Sequence, residues 1–302
     1  MLHPFITTSF WNSVILGAGP IAFAALGSLL CSRGGILFIG VEGTLLTSCF
    51  FSIAGVAWTG SPFVGVVFGL LAGSLAALVF GYLSMNLRMG DIVAGLVVQI
   101  AALGVCGFLL DELFPSGLTV GDHQLTAPWG RTGSKVVDVL LHQAPLIYLV
   151  PIVAVAIAML LRSRWGLKVR ASGESLQVAY SLGLPVARIR YLLLAAGGAI
   201  VGLGGAMLGL AVVGTFATEV TGGRGFIALA CVVLAGWRPG WTVLFAVIFS
   251  AAYSYGLQVN SAQLGEWIQL LPYALTLVVM ALFWGRRPGP AEEGRGLEVV
   301  DD

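Results

Sequence analysis

Charged side chains are scarce in this sequence. Only 10% of its 302 residues are charged, while 58% are hydrophobic, and the mean hydropathy is +0.97. A soluble domain has about 25% charged and about 45–50% apolar residues. The composition therefore excludes a soluble globular protein and predicts an integral membrane protein. The formal net charge of +1 identifies no partner, and no nucleic-acid partner is expected.

Residues that build metal and catalytic sites are also few. The four cysteines lie far apart without a CxxC pair, and the three histidines have no acid at ligand or triad spacing. The phosphate-binding pattern GxxxxGK[ST] is missing. We therefore predict no catalytic site, metal site or cofactor in this chain, so that any ATP and its magnesium would be handled by another subunit. The first 32 residues contain no Lys or Arg, which argues against a cleavable signal peptide.

Long stretches without charge are what the chain does contain. A charge in hydrocarbon is costly, so these stretches predict membrane-spanning helices and an all-α polytopic fold. Nine hydrophobic passages follow, near residues 10–30, 35–58, 62–84, 92–110, 145–161, 191–213, 225–237, 241–260 and 267–285. The run 225–237 is too short to cross by the ~20-residue rule, and we interpret it as a broken helix entering from one face.

Orientation follows from the positions of Lys and Arg. Twelve of the fifteen basic residues lie on the side that contains residues 162–190, which is therefore cytoplasmic by the positive-inside rule. This predicts a cytoplasmic C-terminus and an external N-terminus. Residues 1–285 form a single transmembrane domain with a large external loop at 111–144, and residues 286–302 are expected to be a flexible cytoplasmic tail.

The cytoplasmic stretch 162–190, called here the coupling segment, carries six basic residues against one acid. Ser172 is predicted to cap a short helix with Glu174 in its first turn, and Gly183 to supply a positive φ after its last turn. Pro185 then fits the first turn of the next helix. Two interpretations remain open: a docking surface for a cytoplasmic partner, or an ordinary positively charged loop.

Polar groups inside the membrane are rare, which argues against a carrier built on carboxylate relays. The exception is Glu42, predicted to lie about two turns into the second helix. It either pairs with Arg33 or with backbone at a helix break, or it lines a substrate pathway, and the sequence leaves both options open. The other candidate pathway residues are Gln99, Phe226 and Asn260; for Gln99 and Asn260 an interhelical hydrogen bond is favoured over substrate contact.

Small residues recur at four-residue spacing in the apolar helices. Such spacing permits close helix contact in lipid. The steps are Gly65, Gly69 and Gly73, Gly198 and Gly202, and Gly205 and Gly209. Packing within the chain is favoured over a dedicated dimer face.

Four stretches together resemble one family. They are GGILFIGVEG (34–43), VRASGESLQVAYSLGLPVARIR (169–190), the Gly/Ala-rich helix 195–210, and TGGRGFIALACVVLAGWRPG (221–240). With the spans between them, the sequence resembles a permease subunit of bacterial ABC importers over residues 15–285. The similarity is to nucleoside and simple-sugar permeases, within the larger group that handles branched-chain amino acids and ribose. It departs at Phe38, where nucleoside-type members usually have Asn.

The resemblance implies a function and a set of partners. The chain would be the permease subunit of an ATP-driven importer in the bacterial inner membrane, moving a nucleoside or a related sugar-like solute inward. Its partners would be an ABC ATP-binding subunit, a second permease subunit, an extracytoplasmic solute-binding protein or lipoprotein, and membrane lipid. A secondary active carrier and a membrane scaffold are the alternatives.

The resemblance also places a coupling helix at 172–185, in a groove of the ATPase subunit. Residues expected at this contact are Arg170, Ser172, Gly173, Glu174, Leu182, Gly183, Leu184 and Pro185. The predicted topology further runs spans 1–4 in the opposite sense to spans 6–9. We therefore expect an inverted repeat about an axis in the membrane plane, the importer permease fold.

Overall fold

The computed structural model describes residues 8–121, 123–125, 143–258 and 289–294, which are nearly all helical. Within these ranges the only β feature is an isolated bridge between Thr119 and Thr215. The α-helices are α1 (Thr8–Arg33), α2 (Val41–Thr59), α3 (Pro62–Gly81), α4 (Asp91–Leu113), α5 (Leu149–Arg162), α6 (Arg164–Glu174), α7 (Leu176–Ser181), α8 (Val186–Met207), α9 (Arg224–Leu234) and α10 (Pro239–Gln258).

Three of these helices are extended by other helical turns. The π-helices Tyr82–Asn86 and Leu208–Val213 continue α3 and α8, and the 3₁₀ turn Pro145–Tyr148 precedes α5. Six of the described helical stretches are long and apolar enough to cross a membrane: Phe10–Arg33, Val41–Thr59, Pro62–Asn86, Asp91–Leu113, Pro145–Arg162 and Val186–Val213.

These elements confirm an all-α membrane protein. The short helix α9 is where the sequence predicts a broken helix, and it is too short to span a bilayer alone. The passage predicted at 267–285 lies outside the described residues, and the count of nine passages is not confirmed.

The start of α2 differs from the prediction. The sequence suggests a helix from about residue 35, but α2 begins at Val41. Gly35 has φ +81°, and the backbone amide of Leu37 donates to the Asp91 carboxylate (3.0 Å) and not to a helical carbonyl. Glu42 is consequently in the first turn of α2, and the prediction that it lies two turns deep is wrong.

Helix contacts repeat between the two halves of the chain. Helix α1 packs against α8, α9 and α10, and α8 packs against α1, α2 and α3. An axis that exchanges α1 with α8, α2 with α9 and α3 with α10 produces this set of pairings. The contact of α1 with α9 then corresponds to that of α8 with α2, and the contact of α1 with α10 to that of α8 with α3. The pairings agree with the inverted repeat that the topology predicts.

Four of the step glycines, Gly69, Gly73, Gly198 and Gly202, form a seam between α3 and α8, while Gly65, Gly205 and Gly209 lie closest to α2. A Cβ added at Gly73 would lie 2.5 Å from the carbonyl oxygen of Gly198, and one at Gly202 would lie 2.6 Å from that of Gly69. Contacts this short leave no space for side chains, so the two backbones touch. The prediction that these glycines pack within the chain is confirmed.

The described part of the predicted external loop folds onto the end of α8. The backbone amide of Val120 donates to the carbonyl of Gly214 (2.9 Å), and the amide of Phe216 donates to Leu118 (2.9 Å). The amide of Leu125 donates to Leu210 (3.0 Å). Residues 118–121 and 123–125 therefore cover the π-helical end of α8, while residues 122 and 126–142 lie outside the described ranges.

Candidate functional site

Glu42 joins two helix starts. Its carboxylate accepts hydrogen bonds from the backbone amides of Gly223 (3.0 Å) and Gly225 (2.6 Å), at the N-terminus of α9. Such amides carry the positive end of the helix dipole, which stabilises a carboxylate. The side chain is 5% exposed, so these bonds are formed away from bulk water.

The partner of Glu42 is thus backbone at a helix start, one of the two possibilities considered for a structural acid. The other is wrong, because Arg33 donates through Nε (3.2 Å) and a terminal nitrogen (2.7 Å) to the carbonyl of Trp237. The backbones also meet: a Cβ added at Gly225 would lie 2.7 Å from Cα of Glu42. The N-termini of α2 and α9 therefore face each other with one carboxylate between them.

A cleft of about 320 Å³, called here the polar cleft, opens beside this junction, and its lining also includes the apolar side chains of Leu46 and Leu103. Glu42 lines it from α2, and Gln99 lines it from α4. A Cβ added at Gly43 would lie 2.8 Å from Cα of Gln99, so close packing of α2 and α4 brings the amide next to the carboxylate. The side chain of Gln99 forms no interhelical hydrogen bond within the described residues.

The third wall of the cleft is the turn before α9. It contributes three polar side chains that the sequence did not single out: Thr218, Glu219 and Thr221. The only sequence signal for this wall is TGGRG (221–225), whose glycines Gly222 and Gly223 take φ +52° and +76°. These positive φ values bend the chain so that the turn faces α2.

Arg224 braces this turn from behind. Its guanidinium donates to the carbonyls of Val220 (2.8 Å) and Thr221 (3.2 Å) and stacks on the ring of Tyr253, 4.8 Å from the centroid. Hydrogen bonding to both carbonyls fixes the turn shape, and the cation–π contact attaches it to α10. Arg224 is 8% exposed and does not line the cleft.

The remaining pathway candidates are not brought into this cleft. Phe226 is 40% exposed and is not among the residues that line it. Asn260 lies outside the described residues. Phe38, where the resemblance departs, is fully buried and packs edge-on against Phe80 with centroids 5.0 Å apart. Phe38 is not among the residues that line the cleft.

Metal chemistry has no support in the part of the chain described. No group of three or more His, Cys, Asp or Glu side chains there could hold a metal ion. All four cysteines are buried and none forms a disulfide, as their positions in apolar runs suggest. The polar cleft thus offers hydrogen-bonding groups and one buried carboxylate.

Residues 11–280 match the family described as branched-chain amino acid transport system / permease component. The chain belongs to this family. Its curated relatives include the nucleoside ABC transporter permease protein NupC of Lactococcus lactis, 28% identical over 93% of this chain and 94% of the relative. TsgC13 of Haloferax volcanii, a permease protein named for glucose, is 31% identical over 84% of this chain and 78% of the relative. The guanosine ABC transporter permease protein NupQ of Bacillus subtilis is 26% identical over 93% of this chain and 94% of the relative.

The fold of the permease has a solved counterpart. An inward-facing ABC transporter of the metal-chelate type aligns with a TM-score of 0.52 at 14% identity, covering 90% of this chain and 84% of that one. At this identity the likeness concerns the fold alone. With the family match, it establishes a multi-pass ABC transporter permease.

The coupling segment of the permease contains two helices where one was predicted. Ser163 caps α6 by accepting from the amide of Gly166, and Ser175 caps α7 by accepting from Val178. Ser172 is buried inside α6, where its hydroxyl donates to the carbonyl of Val169 (2.8 Å), so its prediction as a cap is wrong. Glu174 is the last residue of α6 and does not lie in a first turn.

The turn after α7 agrees better with the sequence. Gly183 has φ +69°, which confirms the predicted left-handed residue. Pro185 directly precedes the first residue of α8, one position earlier than expected. Leu184 packs on a small apolar cluster of Leu176, Ala179 and Val186, which holds the turn against both helices.

The expected contact residues divide into two groups. Arg170, Glu174, Leu182, Gly183 and Pro185 are exposed, and Leu184 is partly buried. Ser172 and Gly173 are buried, and a Cβ at Gly173 would lie 2.4 Å from the carbonyl oxygen of Arg33. The exposed face also carries large apolar side chains: Trp165, Leu167, Val178, Tyr180 and Leu182.

Residues 289–294 of the predicted tail lie against this segment. The amide of Glu292 donates to the carbonyl of Gly173 (3.0 Å), and its carboxylate accepts from the amide of Leu176 (3.4 Å). Burial raises the pKa of Glu293 above its ordinary value, because the charged carboxylate loses hydration. Flexibility of the tail as a whole stays a prediction.

Proposed function

We propose that the permease moves a nucleoside inward through the cleft at Glu42, driven by a separate ATP-binding subunit docked on the coupling segment. The single observation that carries the site is the polar cleft between α2, α4 and the turn before α9. It combines a buried carboxylate with an amide that has no protein partner among the described residues. In an otherwise apolar domain, such groups favour passage of a polar solute.

The chemistry of the lining suits a neutral solute with several hydroxyl and amide groups. Gln99 can both donate and accept, and the hydroxyls of Thr218 and Thr221 can do the same. Glu42 already accepts two backbone hydrogen bonds, and a carboxylate has about four lone-pair sites, so acceptor capacity remains. A volume of about 320 Å³ lies at the small end of the roughly 300–1,000 Å³ range of ligand pockets.

A nucleoside is the preferred substrate because NupC and NupQ are named for nucleoside and guanosine transport, and each aligns over 93% of this chain. Glucose is the second candidate, since TsgC13 is named for it and is 31% identical. Both solutes present hydroxyls to the cleft. Only the nucleoside adds a flat base.

Docking of the ATP-binding subunit is proposed for the exposed face of α6 and α7. Leu182 is 66% exposed and Trp165 is 52% exposed, and Nζ of Lys168 lies 5.8 Å from the centroid of the Trp165 ring. An apolar patch with a basic rim at the end of a transmembrane domain is typical of an interaction surface. The complex would also contain a second permease subunit and an extracytoplasmic solute-binding protein, with this face cytoplasmic.

Uptake in the native host tests the proposal. Cells that lack this chain should take up labelled guanosine more slowly than the parent, and plasmid-borne permease should restore uptake. Excess unlabelled nucleosides should compete, and excess glucose should not. Chain-dependent uptake of labelled glucose in place of guanosine would make a hexose the substrate, and equal guanosine uptake with and without the chain would refute nucleoside transport.

A further inference from the structure

The segment from the last residue of α1 into the first turn of α2, residues 33–43, touches both the coupling segment and the cleft. We call it the connector. Its first end lies against α6: a Cβ added at Gly173 would lie 2.4 Å from the carbonyl oxygen of Arg33 and 3.1 Å from the amide nitrogen of Gly35. The two backbones are therefore in direct contact, with no side chain between them.

The middle of the connector is held by the first turns of α4. The carboxylate of Asp91 accepts from the amide of Leu37 (3.0 Å) and from the hydroxyl of Ser84, and it is 6% exposed. One turn further, a Cβ added at Gly95 would lie 2.7 Å from Cβ of Ile39 and 3.0 Å from the amide nitrogen of Gly40. Helix α4 thus fixes the connector both by a buried hydrogen bond and by close packing.

The far end of the connector enters the cleft. Gly43 packs on the backbone of Gln99, with 2.8 Å from an added Cβ to Cα. The next residue back, Glu42, holds the start of α9 through Gly223 and Gly225. A shift of the connector would therefore move two polar groups of the cleft together.

We propose that the connector transmits motion between the coupling segment and the cleft, and that Gly95 and Asp91 are positioning residues that guide it. Its contacts are backbone against backbone at Gly173 and Gly43, and at Gly95 backbone against the Ile39 side chain and the Gly40 amide. Contacts packed this closely transmit displacement from one group to the next. A displaced α6 pushes Arg33, and the connector shifts the carboxylate of Glu42 relative to α9. This inference rests on the proposed transport function.

Two glycines of α4 provide a matched test. A Cβ at Gly104 meets no atom of the described residues within 4 Å, whereas one at Gly95 collides with the connector. In vesicles containing the whole complex, Gly95→Ala should lower uptake per ATP hydrolysed by about fivefold or more, the low end of measured site-to-site couplings. Gly104→Ala should keep the parental ratio. A parental ratio for Gly95→Ala, or the same loss in both variants, would overturn the proposal.

Assembly is checked by co-purification of the ATP-binding subunit. If Gly95→Ala does not assemble, Asp91→Asn decides, because it replaces the charge-assisted hydrogen bonds from Leu37 and Ser84 with weaker neutral ones at nearly unchanged volume. It should also lower uptake per ATP, and a parental ratio would refute the role of Asp91 and the guiding contact. Gly173→Ala should lower the ratio as well, and combining it with Gly95→Ala should add little because both interrupt one chain of contacts.

The parent complex separates this inference from the proposed function. If the parent transports no nucleoside but transports another solute, the substrate assignment fails, and the same ratio measured with that solute still tests the connector. If the parent transports the nucleoside and Gly95→Ala remains coupled, the connector proposal fails alone.

Discussion

Glu42 and Gly225 hold two helix N-termini in contact: the carboxylate accepts from the amide at 2.6 Å, and Cα of Glu42 would lie 2.7 Å from a Cβ on the glycine. Two helix N-termini this close repel each other through their partial positive charges. The carboxylate between them offsets that repulsion. Its charge and the missing Cβ are thus two separate conditions for the junction, and each can be tested alone.

Replacing the charge is the first test. Glu42→Gln keeps one acceptor oxygen and turns an NH2 group toward the second backbone amide, so one charge-assisted hydrogen bond, worth about 1.5–3 kcal/mol, is lost. We expect guanosine uptake to fall at both limiting and saturating solute while the complex still assembles. Glu112→Gln is the control, because Glu112 is exposed and does not line the cleft. Near-parental uptake by Glu42→Gln would make the carboxylate dispensable for the pathway.

Filling the space is the second test. Gly225→Ala places a methyl group against the backbone of Glu42, and overpacking of this kind typically costs about 1–3 kcal/mol. Gly240→Ala is matched, since each glycine is the second residue of its helix, and a Cβ at Gly240 meets no described atom within 4 Å. Thermal melting of the purified complex should fall for Gly225→Ala and stay unchanged for Gly240→Ala. Identical melting curves would argue against the close junction.

The turn after α7 carries the third prediction. Gly183 has φ +69°, and a β-branched residue in this region costs of order 1–3 kcal/mol. Gly183→Val should weaken binding of the ATP-binding subunit and uncouple hydrolysis from uptake while the spans remain inserted. Leu182→Asp should act likewise by placing a charge in an apolar contact.

Ser116→Asp is the control for that pair, because it adds a charge at an exposed polar position outside the coupling segment. It should leave docking close to that of the parent. Co-purification and solute-stimulated ATP hydrolysis measure the difference. If Gly183→Val and Leu182→Asp both bind and transport normally, residues 172–185 are not the coupling element.

The fourth prediction concerns pH. The pKa of Glu293 is raised on folding, so docking of residues 289–294 is strongest when this carboxyl is protonated and weakens as pH rises above its ordinary value of 4.5 toward the raised value. Hydrogen exchange of the Glu292 amide, corrected for intrinsic rates, should show protection falling over that window. Glu293→Gln should abolish the dependence, and Glu292→Gln should retain it. A dependence that survives Glu293→Gln would assign it to another group.

Local sequence predicts the spans well because the penalty for charge in lipid acts residue by residue. It fails at Ser172 for a definite reason: Ser163 and Ser175 are equally good caps, and only the close approach of Gly173 to Arg33 shows where α6 lies. The depth of Glu42 fails similarly, since the late start of α2 depends on Asp91, 54 residues from Leu37.

Only part of the candidate site can be predicted from the sequence. Glu42 and Gln99 stand out because polar groups are rare in apolar helices. The side chains of the third wall, Thr218, Glu219 and Thr221, look like ordinary loop residues. They reach the cleft because Glu42 binds the amides of two glycines that lie 181 and 183 residues further along the sequence. Such long-range pairings have no signature in a single sequence.

The glycine seam between α3 and α8 limits how the permease can change shape. Where side chains interdigitate, helices can slide by exchanging rotamers, as in shear motion. Gly69, Gly73, Gly198 and Gly202 have no side-chain rotamers to exchange, and the backbone of each helix already lies against the backbone of the other. We therefore expect α3 and α8 to travel as one rigid body during alternating access, with the gating hinge elsewhere in the molecule.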